Sequence, residues 1–140
     1  MGSEHEAVVA SFLAAFECHR LGAPEVDRVV HHMAPDAQYF VCAWELPFVG
    51  RDAIREELIG QGRGFTDLRI EVDWIASAGS RVFTERRDCM VMDGTPVAFH
   101  LAGVFELTDD GKIAVWRDYF DSKEIATQVG RGPVRSEPTA

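Results

Sequence analysis

The side chains best suited to chemistry in this chain are ionised groups set among apolar ones. Arg86 and Asp88 lie within VFTERRDCMVM, and Asp118 lies within AVWRDYFD. Successive side chains of an extended strand point to opposite faces. Val82, Thr84, Arg86, Asp88, Met90 and Met92 therefore share one face, while Phe83, Glu85, Arg87, Cys89 and Val91 share the other. In the second segment Trp116, Asp118 and Phe120 fall together, opposite Val115, Arg117 and Tyr119. Burying a lone charge is costly, so a carboxylate on such a face needs a partner, and Arg86 is the obvious one. A carboxylate–guanidinium–carboxylate set can release a proton at one end and accept one at the other, an acid–base apparatus that needs no cofactor. With the two faces exchanged, Arg86 and Asp88 would instead form a solvated cross-strand ion pair.

The elements that must hold these groups follow from apolar periodicity. Residues 4 to 20 read as an amphipathic helix, with Val8, Phe12 and Phe16 every fourth residue and Val9 and Leu13 alongside. Pro24 suits the first turn of a second helix over roughly 24 to 34, and Ala34-Pro35-Asp36 reads as a break. Gln38 to Glu45 reads as a strand, and a short helix follows Gly50-Arg51, with Asp52 the candidate N-cap. Phe65 to Ala76, Arg81 to Met92, Val97 to Leu107 and Lys112 to Phe120 are strand candidates. The turn signals between them, Ala78-Gly79-Ser80, Asp93-Gly94 and Asp109-Asp110-Gly111, are short enough to require antiparallel pairing. A terminal helix over 122 to 129 follows, capped by Asp121, and the Gly- and Pro-rich residues 131–140 read as a disordered tail.

Helices first and strands afterwards imply a single α+β domain over 1–130, with helices covering one face of a curved sheet and a pocket between the two layers. Met90, Met92, Phe99, Leu101, Trp116 and Phe120 would line that pocket, and Trp44 and Phe48 would shape its mouth.

Composition narrows the function classes. A net charge of −9 over 140 residues argues against a nucleic-acid partner. No apolar run approaches a membrane span, and MGSEHEA lacks a basic and an apolar leader region, so the expected location is the cytoplasm. Cys18, Cys42 and Cys89 are widely spaced and read as reduced packing thiols. Adjacent His31 and His32 would diverge on a helix, and His100 falls on the face opposite Phe99 and Leu101, so no metal site is expected. No G-x-S-x-G elbow, phosphate loop or H-E-x-x-H is present.

The T-E-R-x-D segment from Thr84, the G-V-F-x-L-T strand from Gly103, the W-R-D-Y-F-D strand from Trp116 and the earlier GRDAI helix start occur in an order and spacing that resemble the limonene-1,2-epoxide hydrolase family. The resemblance covers most of the chain. It implies an NTF2-like (SnoaL-like) cone, a curved, mixed but mostly antiparallel sheet with N-terminal helices over a deep apolar pocket. It further implies cofactor-independent addition of water to a hydrophobic, terpene-like or cyclic epoxide to give a vicinal diol, in a homodimer. By that resemblance Asp88 donates a proton to the epoxide oxygen, Asp118 takes a proton from the attacking water, Arg86 bridges them and Tyr39 helps to hold the water. The family's further water ligand, an asparagine two residues after that tyrosine, is replaced by Val41, with Glu45 a candidate for its place. The alternative readings are a SnoaL-like or ketosteroid-isomerase-like isomerase or cyclase, which would need only one carboxylate base, and a non-catalytic ligand-binding member.

Overall fold

Alternating apolar residues dominate the second half of the chain, and that half forms most of a sheet. The structure, a computed structural model, describes residues 2–130. Three helices, α1 (Gly2–Ala14), α2 (Ala23–Val30) and α3 (Arg51–Gly62), intersperse with strands β1 (Met33–Phe40) and β2 (Phe48–Val49). The long strands β3 (Thr66–Ala78), β4 (Arg81–Met92), β5 (Thr95–Leu107) and β6 (Ile113–Tyr119) follow, and α4 (Ser122–Val129) ends the described chain. The six strands form one sheet in the order β2-β1-β6-β5-β4-β3. All neighbours are antiparallel except β1 and β6, which run parallel. The expected tail at 131–140 lies outside the described residues.

The turn chemistry agrees with the sequence. Asp93 and Gly94 both have positive φ, 50° and 79°, the conformation that matches a tight hairpin to strand twist. Two register shifts, at Thr66/Arg69 and Val72/Trp74, bend β3, and such irregularities add the local curvature that wraps a sheet around helices. Val9, Phe12 and Leu13 of α1, Phe16 just beyond it, Val26, Val29 and Val30 of α2, and Ile54 and Leu58 of α3 are buried against the concave face.

Several boundaries differ from the sequence reading, each for a tertiary reason. α1 ends at Ala14 because the chain beyond it pairs with the sheet, Cys18 exchanging both backbone hydrogen bonds with Leu68. Phe16 keeps its core position outside the helix. Helix α2 stops at Val30, which leaves His31 and His32 in a turn rather than on a helix. Ala34-Pro35-Asp36, expected to break the chain, lies inside β1. A register shift between Met33 and Gln38 accommodates a proline that has no N–H to donate. Val41 to Glu45, expected as strand, lies beyond the end of β1. Gly50 occupies the N-cap of α3, so Asp52 sits in the first turn, where its charge favours the helix dipole.

Helix α4 closes a sheet edge. Strand β6 pairs with β5 only from Ala102 to Leu107, which leaves the start of β5 without a partner on that side. Gln128 takes the place of a strand there, donating from Nε2 to the Ala98 carbonyl at 2.7 Å and accepting from its N–H at 2.9 Å. Glu124 accepts from the His100 N–H. Asp121 caps the helix by accepting from the Lys123 N–H.

Candidate active site

The concave face between sheet and helices encloses a cavity of about 330 Å³, and the ionised groups singled out from the sequence meet on its wall. Strands β4 and β6 are separated by β5, so Arg86 must cross one strand to reach Asp118. It can do so because Gly103 lies between them. Gly103 pairs with Thr84 on one side and with Asp118 on the other, and a Cβ on it would stand 2.6 Å from Arg86 Nη1. The guanidinium lies over the backbone where a side chain would be.

Arg86 is 1% exposed and donates to both carboxylates. Nη1 and Nη2 donate to Asp118 Oδ1 and Oδ2 at 3.1 and 2.9 Å, and Nε donates to Asp88 Oδ1 at 3.0 Å. This bidentate geometry is the strong form of an arginine–carboxylate pair. Trp116 explains the aromatic neighbour of Asp118, since its Nε1 donates to Asp118 Oδ1 at 3.0 Å. Asp118 thus accepts from three N–H groups of Arg86 and Trp116, while Asp88 accepts from Arg86 through one oxygen.

The electrostatics of the two ends differ. Burial pushes the Asp88 carboxyl above its ordinary value; Arg86 opposes that rise and the Asp118 charge adds to it. Burial alone would pull the Arg86 guanidinium down, but the charges of Asp118 and Asp88 more than offset this and keep it firmly cationic. Beside them, Tyr39 stacks on Trp116 with ring centroids 3.8 Å apart. Burial, then the nearby Asp118 charge, holds its phenol far above the usual range, so Tyr39 acts as a neutral hydrogen-bonding group.

A comparison with known proteins accords with this geometry. The model of the limonene-1,2-epoxide hydrolase catalytic domain matches residues 3–131. The chain belongs to the limonene-1,2-epoxide hydrolase family. Epoxide hydrolase EphG of Mycobacterium tuberculosis is 36% identical over 77 residues, a match that covers 55% of this chain and about half, 51%, of that protein. The solved structure of an M. tuberculosis LEH-like epoxide hydrolase superposes with a TM-score of 0.75 at 27% identity, over 95% of this chain and 94% of that one. A hypothetical protein with a ketosteroid isomerase-like fold from Catenulispora acidiphila, in complex with trimethylamine, superposes at 0.76 with 20% identity over 94% and 97% of the two chains, a likeness of fold. The open six-stranded sheet is thus the NTF2-like cone of this epoxide hydrolase family.

Within the family frame, most of the side chains expected around the pocket line it. Asp88, Arg86, Asp118 and Tyr39 share the wall with Val41. Met90, Met92, Phe99, Leu101, Trp116 and Phe120 supply apolar surface. Trp44 and Phe48 do not line the cavity. Trp44 stands in the loop after β1 with 69% of its surface exposed, and Phe48 belongs to the edge strand β2, one strand farther out than Tyr39. Glu45 is exposed in the same loop and does not replace the missing amide. His100 lies outside the cavity, paired with Glu124 at 2.7 Å.

Two contributors escaped the sequence reading. Gly103 was visible only as part of a motif, although a glycine inside a strand marks a close approach of other atoms. Helix α3 brings Glu57 and Gln61 to the cavity, and Gln61 Nε2 donates to the Tyr39 hydroxyl at 3.2 Å. Their spacing of four residues on a helix was the available signal.

Proposed function

We propose that this protein hydrolyses a hydrophobic, terpene-like or cyclic epoxide to a vicinal diol in one step, without a cofactor. The observation that carries the proposal is the buried Arg86 bridging two carboxyls of unequal surroundings on the wall of an apolar cavity. A neutral Asp88, a cationic Arg86 and an anionic Asp118 sum to no net charge, the arrangement least costly to bury. Asp88 carries the proton because its carboxyl is pushed up and Arg86 engages only one of its oxygens. The oxygen of a water on Asp118 and Tyr39 attacks a ring carbon as that carbon's bond to the epoxide oxygen breaks. Asp118 takes the water's proton and Asp88 gives its own to the epoxide oxygen. The product is the diol, and a proton passes back from Asp118 to Asp88 through solvent before the next turnover. Acid and base assistance of this kind each contribute about 10² to 10⁴ in rate.

The test is incubation with a panel of apolar epoxides in ¹⁸O-labelled water. Diol carrying one labelled oxygen is the expected product. Absence of turnover of every epoxide, with proton exchange on a ketosteroid, would establish isomerase chemistry instead. Asp88→Asn and Asp118→Asn should each cost about 10² or more in kcat with the fold retained, and activity surviving in either sinks its role. Trp74 and Tyr119 leave apolar surface exposed on the sheet, which supports the proposed homodimer; light scattering of a purified sample would measure it.

A further inference from the structure

The water-holding side of the pocket contains an arrangement that the proton-transfer set does not use. Strand β1 places Tyr39 on the cavity wall and Val41 follows just beyond the strand's end, but the Val41 side chain has no polar atom with which to orient water. Facing Tyr39, the last turns of α3 carry Glu57 and Gln61, both also on the wall. The Gln61 amide nitrogen donates to Glu57 Oε2 at 2.8 Å and to the Tyr39 hydroxyl at 3.2 Å.

This chain of bonds has a direction. A carboxylate offers only lone pairs, so Glu57 decides which end of the Gln61 amide faces it, and that end is the NH₂. The same nitrogen reaches Tyr39, so the phenol oxygen accepts from Gln61. A phenol that accepts at one position keeps its own O–H for another partner. Tyr39 is buried and stacked on Trp116, so the remaining direction open to that O–H is the cavity.

We propose that Gln61, braced by Glu57, is a positioning residue for the attacking water: it commits the Tyr39 hydroxyl to donate into the cavity, where Val41 offers nothing. The water then accepts from Tyr39 and donates to Asp118, which leaves one lone pair for the ring carbon. The inference rests on the epoxide hydrolase reading for its chemistry, although the water site itself is independent of turnover. Gln61 makes no contact with the reacting atoms and acts only through the phenol.

Two measurements test it. The first is a pair of crystal structures, of the wild type and of Gln61→Leu. An ordered water within hydrogen-bond distance of Tyr39 Oη and Asp118 is expected in the wild type and is expected to be lost in the variant. A wild-type cavity without that water, or a variant that keeps it unchanged, overturns the proposal. The second is kinetic. Gln61→Leu should lower kcat by about tenfold, the worth of one hydrogen bond, with KM little changed. Tyr39→Phe combined with Gln61→Leu should be no slower than Tyr39→Phe alone, and losses that multiply overturn the route through the phenol. Glu57→Gln, which lets the Gln61 amide turn either way, should give a smaller loss of kcat and serves if Gln61→Leu does not fold. A wild type that binds the water and loses it in Gln61→Leu, yet hydrolyses no epoxide, sinks the proposed function and leaves the water site standing.

Discussion

Arg86 and Arg87 are neighbours on β4, and both pair with carboxylates, but they sit on opposite faces of the sheet. Arg87 pairs with Glu71 across the outer face, where both side chains are about 40% exposed or more. Arg86 turns inward, is almost wholly removed from water, and spans Asp88 and Asp118. The two pairs use the same functional groups, but their surroundings make them different devices. Water screens the outer pair, and holding two long side chains together offsets most of its attraction. The inner set sits in a low-dielectric layer, where each missing partner leaves an uncompensated charge. The same burial pushes the Asp88 carboxyl up, which is the difference that the proposed proton transfer relies on.

The comparison can be broken most sharply at Arg86 itself. Arg86→Met strands Asp118 beside an apolar side chain and should cost about 3–5 kcal/mol of folding stability along with activity. Denaturant unfolding measures it, and a loss no larger than that of an outer-face variant would remove the distinction between the faces. Gly103→Ala should come next. Its Cβ would meet Arg86 Nη1 at 2.6 Å and Thr84 Oγ1 at 2.9 Å, so the guanidinium must leave Asp118. Overpacking of this kind costs about 1–3 kcal/mol, and the variant should lose turnover out of proportion to its lowered stability.

The pH dependence sharpens the comparison further. The Asp88 carboxyl is raised above the ordinary 3.8, so its proton favours the folded state. That contribution is fully present below the ordinary value and is lost as pH rises through the raised one. On the proposed mechanism, activity should fall through the same window, because Asp88 loses the proton it would donate. Asp88→Asn should abolish the stability change, and a pH–stability curve identical to the wild type would contradict the assignment. The smallest effect is expected on the outer face. Arg87→Gln should leave kcat and KM unchanged and shift the unfolding midpoint little, since the pair it breaks is solvated. A marked loss of activity would mean that the two faces are coupled.

Much of this was legible along the chain. Strict alternation in β4 and β6 placed Arg86, Asp88 and Asp118 on apolar faces, because the two-residue period of a strand is a local property. The Asp-Gly turn and the Asp121 cap were likewise local, each depending on a few adjacent residues. The segment from Val41 to Phe48, a loop that leads into β2, was less legible. Its aromatic residues suggested a pocket mouth, but whether they face the cavity depends on how the chain turns after β1, which no local pattern encodes.

By itself, then, the sequence determined which strand faces carry charge, the antiparallel hairpins, the α+β class and the family motifs. Only the tertiary structure decided that Gly103 lets a guanidinium cross β5, that α1 yields its last turn to an edge pairing at Leu68, and that Gln61 reaches Tyr39. The physical reason is range. Propensity and periodicity act over a few residues, whereas burial, desolvation and the meeting of Arg86 with Asp118, 32 positions apart, exist only once the sheet has closed around its helices.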